Sequence, residues 1–194
     1  MSRDVRGACA LYYQYDIHRH GHRVRHTRPK LSHSFLIAYA RMLYLKFAAA
    51  TNQSITNTAG ASQVVYSWTY CDVDTAAGTS TNGLVTGTGT NAVALADTAL
   101  QTQIAHGVGA GQLDYGASVV NAPSSDSTST TLILTRVFAN SSGGSITVRE
   151  IGIYAGMIIT TATTQRFCIV RDLATIALVN GDQLTLNYIL KTIS

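Results

Sequence analysis

The chain has 194 residues, of which 46% are apolar and 12% are charged, with 16 Gly and only 2 Pro. This length accommodates one folded domain, or one domain with an extension, and a sizeable core. Abundant Thr, Ser, Asn and Gly favour strands and tight turns over helices. The three cysteines form no spaced framework, which argues against a disulfide-stapled secreted domain and favours three small buried side chains.

The charges divide the chain near residue 50 into an amino-terminal segment (1–50) and a body (51–194). The amino-terminal segment has nine Lys and Arg against two Asp, for a net charge of +7, and five of the six histidines. The body has five basic and eight acidic residues, for a net charge of −3. Opposite charges on the two parts favour docking of the segment of one copy on the body of another.

Residues 18–30 read HRHGHRVRHTRPK, with five cations, four histidines and no acid. The run has no apolar period, so we do not expect it to fold alone. We predict an extended assembly arm that docks on a neighbouring subunit through Arg19, Arg23, Arg25, Arg28 and Lys30. Non-specific contact with nucleic acid is the alternative, since such cations gain phosphate affinity by releasing counterions.

An amphipathic helix is predicted directly after this arm, with Ser32 or Ser34 as its cap. Its apolar stripe lies against its own domain or against a neighbouring subunit, and periodicity does not distinguish the two. Arg41 and Lys46 interrupt the stretch, which is too short to cross a bilayer, so we expect no membrane span. The predicted interface residues are Phe35, Leu36, Tyr39, Met42, Leu43 and Phe47.

From residue 64 onward the apolar period changes to two, which predicts half-buried strands. Tyr66, Trp68 and Tyr70 alternate with polar residues near the start of the body. Leu184, Leu186, Tyr188 and Leu190 alternate in the same way near the carboxyl terminus. Further strands are predicted over 113–121, 130–139, 145–155, 166–171 and 174–179.

The connections predict the fold class. Asn180-Gly181 and residues 140–144 are typical of hairpin turns, and one helical turn is expected over 97–106. We therefore predict an all-β protein, an antiparallel β-sandwich or jelly-roll-like domain, preceded by the extended basic arm and the amphipathic helix.

Metal and phosphate sites are not expected. Asp72 and Asp74, with Asp97 as a third carboxylate, are more typical of solvated strand ends than of a cation site. Five interleaved cations oppose zinc at the four histidines of residues 18–26. The glycine-rich run at 107–112 lacks the Lys and Ser/Thr of a phosphate loop, and the run at 83–90 is read likewise as close backbone packing.

Catalytic chemistry is not expected either. His106 is the only histidine of the body and has no nucleophile elbow beside it. Glu150 lies beside Arg149, which predicts a structural salt bridge. We therefore predict a protein that is not an enzyme and has no cofactor, metal or small-molecule substrate.

Six stretches of the body from about residue 83 onward carry a resemblance to known proteins. They are GLVTGTG (83–89), AHGVGAGQLDYG (105–116), LTRVFAN (134–140), VREIGIY (148–154), VRD (170–172) and NGDQLTLNY (180–188). With these stretches the body resembles a group of tailed-phage virion proteins. The resemblance implies a β-sandwich particle component of the capsid, decoration, neck or tail, assembled in the host cytoplasm and contacting its own copies and other virion proteins. An alternative is a module of the particle that binds the host surface or a glycan, which the expected burial of the aromatics in strands disfavours.

Overall fold

The computed structural model describes residues 9–32, 34–48 and 52–193. They form twelve strands and one helix. The elements are β1 (Cys9–Arg19), β2 (His22–His26), β3 (Lys30–Leu31), α1 (Ile37–Phe47), β4 (Asn52–Thr56), β5 (Ser62–Tyr66), β6 (Gly83–Gly87), β7 (Asp114–Val120), β8 (Ser124–Ser125), β9 (Ser129–Ala139), β10 (Ile146–Ile158), β11 (Thr164–Leu178) and β12 (Asp182–Ile193).

The strands form three antiparallel sheets, which confirms the all-β class with one helix. The main sheet has the order β2-β1-β12-β9-β7, with β3 also pairing with β1 and β8 with β9. A second sheet has the order β11-β10-β6, and β4 pairs with β5 in a third. In the part of the chain that the structure describes, no helix is long and apolar enough to span a bilayer.

Part of the predicted arm is a strand inside the main sheet. All of β1 pairs with β12, from Cys9 opposite Thr192 to Arg19 opposite Asp182. Leu11, Tyr13, Tyr15 and Ile17 alternate along β1 and are buried. Residues 9–31 are therefore ordered by the chain's own body, because four apolar side chains of β1 face its core; docking on a neighbouring subunit stays a prediction.

The carboxyl-terminal strands agree with the period-two pattern, and Leu184, Leu186 and Tyr188 are buried in β12. The two predicted hairpins were wrong, because residues 140–144 and Asn180-Gly181 each join a strand of the main sheet to one of the second sheet. Only Gly181 of that pair has a positive φ, +89°. A paired type I′ hairpin turn requires positive φ at both central residues.

Two other predictions for the body were wrong. β5 ends at Tyr66, and Trp68 and Tyr70 are exposed rather than half-buried in a strand. Residues 97–106 form no helical turn, because their backbone N–H groups have other acceptors. Those of Leu100, Gln101 and Thr102 bond to side chains of β10, and that of Ile104 bonds to the Thr86 carbonyl of β6.

Candidate assembly surface

The candidate surface is the outer margin of the main sheet, formed by β2 and β3 beside β1. A two-residue loop joins β1 to β2, with φ of +50° at His20 and +80° at Gly21. Positive φ at both positions is the type I′ geometry, which matches the twist of a tight hairpin. The alternation of Leu11, Tyr13, Tyr15 and Ile17 before His20-Gly21 is the sequence signal that identifies this hairpin. The basic composition of residues 18–30, taken alone, favours an extended arm instead.

Arg19 fixes the hairpin to the body. Its Nε donates to Asp182 Oδ1 at 2.7 Å and its Nη2 donates to Oδ2 at 3.1 Å, the two-pronged geometry that suits a guanidinium and a carboxylate. Thr27 binds the other end, because its Oγ1 accepts the Tyr15 N–H and donates to the Tyr15 carbonyl. Arg19 is thus an anchor within the chain rather than a free docking cation.

The other four predicted arm cations are exposed. The Arg25 guanidinium lies 5.6 Å from the centre of the Tyr15 ring, and Lys30 Nζ lies 6.0 Å from that of Tyr13. Such cation–π contacts position the stems while the charges stay in solvent. Within the described ranges, none of Arg23, Arg25, Arg28 and Lys30 forms a salt bridge with a carboxylate.

The arm histidines are dispersed along the hairpin. His26 lies in β2 opposite Asp16, with Nδ1 2.5 Å from the carboxylate oxygen. His20 lies in the turn, while His18 and His22 face different partners across β1 and β2. Among residues 9–32, 34–48 and 52–193, no three His, Cys, Asp or Glu side chains are placed to hold one metal ion.

Replacing Arg19 by glutamine is expected to loosen the hairpin without unfolding the body. The Arg19 guanidinium holds the pKa of Asp182 below its ordinary value of 3.8. The stabilisation by this pair is therefore present above that ordinary pKa and is lost as the pH falls through the lower folded-state pKa. We expect amide exchange in β2 to accelerate a few-fold at neutral pH, and this difference from the wild type to shrink on acidification. Arg23→Gln, also in the hairpin but without an ion pair, is the matched control.

Helix α1 packs on its own chain, the first of the two predicted alternatives. Leu36 and Met42 are buried, and the half-buried Phe35, Tyr39 and Leu43 pack against the core of the same chain. Contact of this helix with a neighbouring subunit stays a prediction. Among the six predicted interface residues, Phe47 alone is largely exposed, at 82%. The apolar stripe is covered because α1 contacts β11 and β4 of its own chain.

The helix start differs from the predicted cap. Leu36 occupies the N-cap position, and no side chain caps the helix there. Ser32 and Ser34 instead donate their hydroxyl protons to the two carboxylate oxygens of Asp172, at 2.7 and 3.1 Å. The Tyr188 hydroxyl donates to the same carboxylate at 2.9 Å. These bonds tie the segment before α1 to both β11 and β12.

An aromatic surface lies beside the carboxyl-terminal end of α1. The rings of Tyr66 and Trp68 are stacked with centres 4.9 Å apart and 22° between their planes. Trp68 is 61% exposed and Tyr70 is 59% exposed. Lys46 donates to the carbonyls of Ser67 and Thr69, which holds this segment against the helix. Tyr66 therefore ends β5 half-buried, as predicted, while Trp68 and Tyr70, which were also expected in a strand, lie in the loop that follows and are exposed.

Glu150 is the centre of a buried ion network and does not pair with Arg149 as predicted. Neighbouring residues of a strand face opposite sides, so Arg149 is exposed while Glu150 is fully buried. Glu150 accepts from Arg171 Nε at 2.9 Å, and Arg171 Nη1 reaches Asp97 at 2.7 Å. Asp97 is thereby paired with a cation, and among the described residues it forms no metal-binding group with Asp72 and Asp74.

The Glu150 carboxylate also organises the connection between β6 and β7. It accepts the backbone N–H groups of Gly89, Gln101 and Thr102 at 2.7–3.0 Å. A Cβ added at Gly87 or Gly89 would lie 2.5 Å from its Oε1. Gly87 and Gly89 of the run at 83–90 thus leave space for the buried Glu150 carboxylate as well as for neighbouring backbone.

Arg136 is a second buried charge, with no exposed surface. Its guanidinium donates to the carbonyls of Gly116, Asn82, Leu84 and Thr79 and lies 4.8 Å from the centre of the Tyr115 ring. Burial lowers the pKa of Arg136 to about 10, so the group stays protonated at neutral pH. The network joins β9 to the β6 margin and is structural, because each donor that it uses is bonded to main chain.

The cysteines do not share one environment. Cys168 is buried, Cys71 is half-buried and Cys9 is exposed, so the prediction of three buried side chains was wrong for Cys9. Burial raises the pKa of the Cys71 thiol to about 12, which keeps it protonated and unreactive. Cys71 lines an apolar cavity of about 150 Å³ between the sheets, with Leu11, Tyr39 and Ile153 among its walls.

Comparisons with family models, curated proteins and solved structures found no match for this chain.

Proposed function

We propose that this chain is a non-enzymatic structural protein of a tailed-phage or phage-like virion, a capsid, decoration, neck or tail component that assembles in many copies in the host cytoplasm. The observation that carries the proposal is the exposed basic margin formed by β2 and β3. It is rigidly attached to the body and presents four cations without carboxylate partners among the described residues. Neighbouring subunits and other virion proteins are the proposed partners.

The body is proposed to be a β-sandwich of jelly-roll-like type. Contacts between the main and second sheets support this architecture. The Tyr115 hydroxyl of β7 lies 3.2 Å from Thr86 Oγ1 of β6, and the Tyr188 hydroxyl of β12 bonds to Asp172 of β11. Two sheets whose inner side chains meet in this way form the standard core of a sandwich.

The outer face of the main sheet also supports assembly. Thr135 of β9 donates its hydroxyl proton to Asn187 Oδ1 of β12 at 2.8 Å, and Thr131 and Thr185 lie on the same face of these strands. These groups are uncharged and partly exposed. Uncharged hydroxyl and amide groups have a small desolvation cost when another protein covers them, which suits repeated contacts between copies. Lys191, opposite Thr131, and Asp16, opposite Thr185, add charged groups to the same face.

Sedimentation velocity and negative-stain electron microscopy of the full purified chain test the proposal. We expect discrete assemblies of many copies whose population grows with protein concentration. A chain that stays monomeric at every concentration and ionic strength would contradict it. Deleting residues 1–30 is not a clean test, because the deletion removes β1 and uncovers β12.

Nucleic acid is the alternative partner of the basic margin, and the same protein tests it. Titration of fluorescent DNA and RNA at several salt concentrations measures how many phosphates are neutralised. A steep loss of affinity with salt, abolished by Arg23→Glu, would assign the margin to nucleic acid. Salt-independent or absent binding would favour protein contact.

A second candidate function, binding to a host-surface glycan, is favoured by the exposed rings of Trp68 and Tyr70, with the half-buried Tyr66 ring stacked on Trp68. Flat rings in solvent stack on the apolar faces of sugars, as they do on other flat ligands. A glycan array probed with the full chain tests this function. Binding that Trp68→Ala removes and Phe47→Ala retains would support it, and an array without signal would contradict it.

A further inference from the structure

The two margins of the main sheet carry opposite charges. At one margin, β2 and β3 present Arg23, Arg25, Arg28 and Lys30, which are all exposed. We call this margin the basic edge. β2 is exposed along its whole length, so the basic edge is accessible to another protein.

The other margin consists of β7 and β8, which lie end to end along β9. Asp114 begins β7 and Asp126 lies in the turn after β8, and both are exposed. Asp74 lies beside β7, where its Oδ1 accepts the Val120 N–H at 2.6 Å. We call this margin, with its three carboxylates, the acidic edge.

The carboxylate of Asp114 forms no salt bridge with a Lys or Arg of the described residues. His106 is its nearest basic neighbour, with Nδ1 3.5 Å from Asp114 Oδ1. The same Nδ1 accepts the backbone N–H of Tyr115 at 3.1 Å. A ring nitrogen that accepts a hydrogen bond has no proton to donate, so in this geometry Nδ1 gives no hydrogen bond to Asp114.

Opposite charges also lie at matching positions along the strands. Two rows of paired residues cross the main sheet, and each has a cation at one end and a carboxylate at the other. The first row is Arg23, His18, Gln183, Ala139 and Asp114. The second is Lys30, Tyr13, Tyr188, Leu134 and Val120, with Asp74 bonded to Val120.

We propose that the basic edge of one copy docks on the acidic edge of the next copy, head to tail. This interface rests on the proposed function, for which it supplies the receiving surface of the amino-terminal hairpin. The next copy is placed by a displacement perpendicular to the strands, with no shift along them. Arg23 of one copy then approaches Asp114 of the next copy, and Lys30 approaches its Asp74. A contact between two different surfaces repeats from copy to copy and generates rings or helical tubes.

Charge reversal at the two ends of the first row tests the interface. Arg23→Glu or Asp114→Lys alone replaces an attraction by a repulsion, and each is expected to raise the concentration required for assembly by about fivefold. Arg149→Glu makes the same charge change as Arg23→Glu on the second sheet and should leave that concentration unchanged. Circular dichroism verifies the fold of each variant, and Arg28→Glu replaces Arg23→Glu if the latter misfolds.

Mixing the two reversed variants gives the decisive measurement. In an alternating order, the substituted end of one variant faces the substituted end of the other, and their two native ends face each other. Every first-row contact then joins opposite charges, so an equimolar mixture should co-assemble at the wild-type concentration. Wild-type assembly that neither reversal weakens would overturn the edge contact and leave the proposed function standing; the cations of β2 would then serve to block strand pairing. A wild-type chain that forms no assembly at all would instead contradict the proposed function.

Discussion

Replacing Glu150 by alanine is expected to lower the free energy of unfolding by about 3–5 kcal/mol, the usual cost of removing one partner from a buried ion pair. The change removes the acceptor of the Arg171 Nε proton and of three backbone N–H groups. Arg171 is only 2% exposed and keeps only Asp97 as a carboxylate partner among the described residues. Water cannot solvate these donors unless the connection between β6 and β7 opens.

Chemical denaturation followed by tryptophan fluorescence and circular dichroism measures the loss. Glu150→Gln retains the side-chain volume and one carbonyl acceptor, so we expect a smaller loss than for alanine. Arg149→Ala is the matched control, because it removes the adjacent exposed side chain and should change the stability by less than about 0.5 kcal/mol. Equal losses for Glu150→Ala and Arg149→Ala would show that the buried network contributes no stability.

Strands that are buried on one face could be predicted from the sequence. Period-two alternation predicts β12, because Leu184, Leu186 and Tyr188 are apolar at alternate positions and face the core. Leu11, Tyr13, Tyr15 and Ile17 alternate in the same way along β1, whereas the basic composition of the neighbouring residues favours an extended arm. Local pattern therefore contained the information for both strands.

Features that depend on distant residues were not predicted. Asn180-Gly181 specifies a turn, but β12 pairs with β1 and β9 and not with β11, the strand that precedes the turn. The partner of Glu150 lies 21 residues away, across the β10–β11 pair. That pair contains two register shifts, and Arg171 lies opposite Gly152 while Glu150 lies opposite Leu173, so the contact between Arg171 and Glu150 does not follow from counting.

Composition predicts which cations form the candidate surface, and the structure shows which of them are free of carboxylate partners among the described residues. The cluster of cations at residues 19–30 identified the basic residues, but not that Arg19 is held by Asp182. The acidic edge was not predicted at all, since Asp74, Asp114 and Asp126 are far apart in sequence. Strand order brings them to one margin, because β7 and β8 both pair with the outer side of β9.

Replacing Arg136 by methionine is expected to cost a similar amount, about 3–5 kcal/mol, for a different reason. Methionine keeps most of the apolar stem, yet it leaves four backbone carbonyls without their donor, including those of Asn82, Leu84 and Gly116. Each unsatisfied buried acceptor costs about 1–3 kcal/mol, and partial access of water to the outermost group reduces the sum.

Arg136→Lys separates the charge from the geometry. Lysine keeps the cation, but its single ammonium group cannot reach carbonyls spread around a planar guanidinium. We therefore expect a free energy of unfolding between that of the wild type and that of Arg136→Met. Chemical denaturation measures it, with Arg149→Met as the exposed control. If Arg136→Lys were as stable as the wild type, the charge alone would stabilise this margin. Since Arg136 of β9 holds Asn82 and Leu84 near the β6 margin and Gly116 in β7, its loss should also disturb the acidic edge and weaken assembly more than Arg149→Met does.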